Sequence, residues 1–122
     1  ISTKTKYVAP VDASMPGLAV EVTQLVDSCM IWIGVAESPE TVGRASVQGK
    51  LCRDWAVAMA PRRGGETGPG TWLFRSEGSD GALSMAQRLA RRLGQQIFVS
   101  VDVDSVGERM LLVAERAVVE TV

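Results

Sequence analysis

The stretch SDGALSMAQRLARRLGQQIFVSVDV, Ser79 to Val103, constrains the fold more than any other part of the chain. It reads as a capped amphipathic helix, a glycine stop and an alternating strand, in that order. Ser79 and Asp80 carry side-chain oxygens that can accept the free backbone N–H groups of a first helical turn. Ala82, Met85, Ala86, Leu89, Ala90 and Leu93 then recur at the spacing of one helix face. Gly94 stands where a left-handed cap closes a helix. Beyond it, Ile97, Val99, Val101 and Val103 alternate with Phe98, Ser100 and Asp102, the period of a strand with one buried face. The prediction is a helix laid across a sheet, with Met85, Ala86, Leu89 and Leu93 inward and Arg88, Arg91 and Arg92 outward.

The rest of the chain reads as strands and turns. Residues 1–16 are mixed, with Pro10 and Pro16 limiting regular structure, and suggest a tail or a short strand around Tyr7 to Ala9. Leu18, Val20 and Val22 alternate with Ala19, Glu21 and Thr23. Asp27 and Ser28 are turn types, and Cys29 to Ala36 is a short, continuously apolar run that suits a central strand covered on both faces. The two strands should form an antiparallel hairpin. Glu37 to Lys50 has no clear period and reads as a loop, with one helical turn after Ser38 as an option. Leu51 to Ala60 is a strand with Trp55, Val57 and Met59 on one face. Ala56 and Ala58 lie on the other, where a helix could approach closely. Arg62 to Gly70 is a glycine-rich loop, and Thr71 to Ser76 a short strand. Asp104 to Glu108 reads as a turn. The apolar run Met110 to Ala114 suggests a last strand from Arg109 to about Val119, inside the sheet. Strands joined by short turns around one late helix give an α+β domain: an antiparallel sheet of about six strands with one main helix packed on it. The single domain spans residues 17–122, with 1–16 ahead of it.

Four blocks of this pattern resemble the proteasome assembly chaperone 4 family. AQRLAR (Ala86 to Arg91) running into QIFVSV (Gln96 to Val101) is the first. DSCMIWIG (Asp27 to Gly34) resembles the family's Asp-Ser-apolar-Trp strand, WAVAM (Trp55 to Met59) its next strand, and LLVAER (Leu111 to Arg116) its last. The blocks occur in the family's order. The run from Glu37 to Lys50 looks longer than the family's loop there, and Arg62 to Gly70 is richer in glycine. The resemblance implies a non-enzymatic chaperone that pairs with proteasome assembly chaperone 3. The pair would hold α subunits, α5 in particular, while the α ring of the 20S core particle forms in order.

Composition narrows the alternatives. Thirteen basic and fourteen acidic side chains leave a formal charge of −1. A general nucleic-acid binder draws its affinity from many phosphate-neutralising cations, and this balance argues against one. It gives no reason for attachment to an anionic membrane either. No apolar run approaches the about 20 residues of a spanning helix, and no signal peptide is visible. Cys29 and Cys52, the only cysteines, sit in apolar sequence and read as reduced core thiols of a cytoplasmic and nuclear protein, with a single disulfide as the alternative.

The chain has no histidine, which removes Ser-His-Asp and Cys-His sites and most zinc sites. Asp102 and Asp104 form an Asp-x-Asp pair that could hold a divalent cation, but aspartates ending a strand are first of all turn formers. RRGGETGPG (Arg62 to Gly70) lacks the lysine and following helix of a phosphate-binding loop. No catalytic residue, cofactor or metal site is therefore expected. Arg88, Arg91 and Arg92 form either a solvated face or a partner surface. Trp32 and Trp55 read as core residues. Trp72 and Phe74, in the apolar segment Thr71 to Phe74, could belong to an exposed docking strand. Two other functions stay open: a self-associating scaffold that forms homodimers through sheet edges, and a small metal-dependent enzyme using Asp102 and Asp104.

Overall fold

The computed structural model describes residues 2–10, 17–36, 54–61, 68–74, 81–102 and 108–121. The expected loops at 37–50 and 62–67, the helix cap at Ser79 and Asp80, Cys52 and Asp104 lie outside the described residues. Six strands form one sheet: β1 (Ser2–Val8), β2 (Leu18–Leu25), β3 (Ser28–Val35), β4 (Asp54–Ala58), β5 (Gly70–Phe74) and β6 (Gln96–Asp102). Two helices accompany them, α1 (Gly81–Leu93) and α2 (Glu108–Thr121).

The strand order is β1-β2-β3-β6-β4-β5. The hairpin expected between the second and third strands is present, with Val20 opposite Ile33 and Val22 opposite Ile31. Its turn is tight, and Asp27 takes a positive φ of 56° there, a conformation that aspartate tolerates better than most residues. The chain returns through α1 to insert β6 between β3 and β4. That crossover makes β6 parallel to β3, while it remains antiparallel to β4. The other pairs are antiparallel. Both neighbours of β6 are therefore remote in sequence, and its inner side chains Ile97 and Val99 are fully buried.

Helix α1 follows its sequence pattern closely. Ala82, Met85, Ala86, Leu89 and Ala90 are buried, and Leu93 packs against the same core. Gly94 closes the helix with φ +67°, its N–H donating to Ala90 O at 2.9 Å. The helix rests on β4, β5 and β6. Ala56 and Ala58 of β4 are fully buried in the same core cluster as Ala82, Ala86 and Ala90. Alanine on both surfaces brings helix and sheet close, so added volume there would force backbone shifts. Gln24 ties the β2–β3 turn to the end of α1: its Nε2 donates toward Leu25 O and Ser28 O at 3.0 Å and Gln95 Oε1 at 2.9 Å.

The last segment is a correction. The strand expected from Arg109 to Val119 is helix α2. Ala114, Ala117 and Val118 are buried at helical spacing, with Leu111 partly buried on the same side, while Leu112, Arg116 and Glu120 are exposed four residues apart. A short apolar run such as Met110 to Ala114 fits a buried strand or a helix equally well, and only the residues flanking it set the period. The sixth strand is instead β1, longer than the short segment expected near Tyr7. It pairs along β2 from Ser2 opposite Gln24 to Val8 opposite Leu18. Helix α2 covers β1 and β2 and touches α1. Lys6 Nζ meets Glu120 Oε2 at 2.7 Å, and Lys4 Nζ donates to Thr121 O at 3.3 Å.

Two measurements check this arrangement. Val118→Ala should cost about 2 kcal/mol in denaturant unfolding, because it empties core volume, while Leu112→Ala should stay within about 0.5 kcal/mol. A strand would place both side chains on one face and give similar losses. The hydrogen bond and charge of Lys6 hold the Glu120 carboxyl below the ordinary 4.5. A depressed acid stabilises the fold fully above its unfolded value and loses that contribution as pH falls through the lower folded value. The stability difference between the native chain and Glu120→Gln should therefore shrink below about pH 4.5 and be flat from pH 6 to 8. Because the pair is exposed, the difference should be small throughout.

Candidate partner-binding surfaces

Strand periodicity and register divide the sheet into two unlike faces. Val8, Leu18, Val20, Val22, Cys29, Ile31, Ile33, Ala56, Ala58, Ile97, Val99 and Val101 join the helices in the main core. Burial raises the pKa of the Cys29 thiol, which keeps it protonated and unreactive at neutral pH.

The opposite face is covered by neither described helix. Registers align Glu21, Trp32, Ser100 and Trp55 in one row across four strands. The next row holds Thr23, Met30, Phe98, Val57 and Thr71. Met30, Phe98, Trp55 and Val57 are half-buried. Trp32 is only 7% exposed and forms a small second cluster with Ala19, Ala36 and Tyr7. Its indole lies over Gly34, where a Cβ would overlap the ring, so glycine lets the tryptophan lie flat along its own strand. The Trp55 indole Nε1 is buried without a hydrogen-bond partner among the described residues. A buried donor left unpaired costs about 1–3 kcal/mol.

The residues singled out from the sequence fall in three places. Arg88, Arg91 and Arg92 are exposed on α1, on the far side of the molecule from the aromatic face. Arg88 is anchored: its Nε and Nη2 reach Glu115 Oε1 of α2 at 2.9 and 2.7 Å. Trp72 is half-buried and packs against the main core under α1. Strand β5 is an edge of the sheet, with Thr71 and Leu73 exposed. Phe74 stands opposite Trp55 in the register. Asp102 ends β6. Among the described residues, no three His, Cys, Asp or Glu side chains gather at one point.

Trp55 departs from the expected core position, since β4 turns its alanines to the helix and its larger residues to the open face. Met30, Val57 and Phe98 were not singled out as candidates at all. Their signal was present: Phe98 occupies the otherwise polar phase of QIFVSV, and Met30 the outward phase of β3. A bulky apolar residue in the outward phase breaks the apolar-in, polar-out alternation of a strand with one solvated face.

Comparison with known proteins agrees with this architecture. No match is found among curated protein sequences. A solved structure described as a novel chaperone complex for yeast 20S proteasome assembly contains a chain of similar fold. The TM-score is 0.63 at 16% identity, covering 98% of this chain and 90% of that one. The family model for proteasome assembly chaperone 4 matches residues 17–103, from the start of β2 past the end of β6. The chain therefore belongs to the proteasome assembly chaperone 4 family.

Proposed function

We propose that this chain is the chaperone 4 half of a heterodimer with proteasome assembly chaperone 3, acting without catalysis in ordered formation of the 20S core particle α ring. The observation that carries the reading is the aromatic sheet face opposite the helices. Trp32 and Ser100 are already buried on this face, and the whole face, six strands about 4.8 Å apart and some seven residues long, measures roughly 650 Å². That is close to the about 800 Å² per partner of a standard specific interface. Tryptophan, phenylalanine and methionine are the side chains that interfaces favour, and half-buried rings leave apolar area to be covered. A partner sheet stacked on this face would bury Met30, Trp55, Val57 and Phe98 and could supply an acceptor for Trp55 Nε1, which has none among the described residues.

The chaperone effect then needs no bond chemistry. A pair that binds α subunits, α5 in particular, more tightly in a partly built ring than in a finished one would shift assembly toward the correct neighbour and afterwards leave. Action in the cytoplasm and nucleus belongs to the same reading. The aromatic face could also stack on its own copy in the absence of chaperone 3, so a homodimer of the isolated chain fits the same surface.

Co-purification with chaperone 3, followed by light scattering, tests the pairing. A 1:1 complex is expected, and Phe98→Glu should weaken it by about 30-fold or more, because it places a charge in the interface centre. Phe98 is half-exposed, so the variant should still fold. Retention of the complex by Phe98→Glu, or its loss in Leu112→Glu on the helix side instead, would contradict the assignment of the sheet face.

A further inference from the structure

The outer face of α1 carries a second, chemically different surface. From Gly81 to Val101 the chain has no acidic residue, while Arg88, Arg91 and Arg92 fall within two turns. The formal charge of the whole chain is −1, so this cationic face is a local feature. Ser84, Gln87, Arg88 and Arg91 line a shallow groove of about 170 Å³ along the helix. One wall is fixed by the Arg88–Glu115 pair, in which the Glu115 side chain is only 19% exposed. The other wall is steadied by Gln87, whose Nε2 donates to Gly68 O at 3.3 Å. Arg91 and Arg92 are exposed and have no acceptor among the described residues.

We infer that this groove docks an acidic peptide segment of a client protein, seating a side-chain carboxylate against Arg91 with Ser84 and Gln87 as further donors. Calling the segment a client's rests on the chaperone reading; the groove itself does not. Charge complementarity selects the occupant. The arginine, hydroxyl and amide groups all offer hydrogen-bond donors, and a guanidinium pairs best with a planar carboxylate or a phosphate. Nucleic acid is the poorer fit, because two exposed arginines on a chain of net charge −1 release few counterions. The negative end of the helix dipole also favours cations in the last turn. A purely dipolar role would stabilise the helix and leave the groove without a ligand.

The test uses the full chain alone, without chaperone 3, so that its outcome is independent of the heterodimer. Fluorescence anisotropy follows a labelled peptide of five glutamates flanked by glycines, with the all-glutamine peptide as control. The glutamate peptide should bind at low salt and weaken as salt rises. Arg91→Gln should reduce binding about tenfold. Ser84→Asp, which places a carboxylate in the groove, should abolish it. Lys4→Gln, on the distant β1 edge, should leave it unchanged. Thermal unfolding of each variant separates binding from stability: a dipole role predicts a lower Tm for Arg91→Gln with unaltered affinity. Unaltered affinity in Arg91→Gln or Ser84→Asp would overturn the inference. So would equal binding of the glutamine peptide, or tighter binding of oligothymidylate than of the glutamate peptide.

Discussion

One-sided coverage of the sheet governs the rest of this molecule. Both described helices lie on the same side of the six strands. The main core forms there, from aliphatic strand residues and an alanine-rich helix surface. The other face is also rich in apolar side chains, yet no described helix covers it. Proteins seldom leave such a surface to water without a use. Among the described residues, one face of the sheet is packed under helices and the other carries half-buried Met30, Trp55, Val57 and Phe98.

The division of aromatic residues expresses the same constraint. Trp72 alone among the tryptophans packs under the helices. Trp32 lies against its own strand over Gly34, and Trp55 and Phe98 project beside it with part of their surfaces exposed. On β4 the small residues Ala56 and Ala58 face the helix because close approach demands them, and Trp55 and Val57 take the other face. The sheet edges differ as well. Strand β1 carries Lys4 and Lys6, which α2 engages, and lysines on an edge strand discourage pairing with other chains. The two sheet edges are therefore unlike: β1 is engaged by α2, while β5 leaves Thr71 and Leu73 exposed.

Much of this was legible in the residues. Helix α1, its glycine cap and β6 were readable because the apolar period changes from 3.6 to 2 across Gly94, and each half is long enough to define its period. The β2–β3 hairpin was readable from alternation around Asp27. Two features were not. Helix α2 is hidden in the sequence because MLLVA gives no period by itself; the decisive residues are Ala117 and Val118, beyond the run. The parallel β3–β6 pair was hidden because strand order is a tertiary property, set by where α1 returns the chain. The contact face was partly readable. Phe98 and Trp55 lie in recognisable strands, but their exposure depends on the helices choosing the other side, which only the packing decides.

The central claim is that the aromatic sheet face receives the partner chaperone. Site-specific photo-crosslinking addresses it most directly. A benzophenone side chain at position 98, on the open face, should give a covalent adduct with chaperone 3, whereas one at position 112, exposed on α2, should give none. Adducts from position 112 in the absence of any from position 98 would place the partner on the helices and contradict the account.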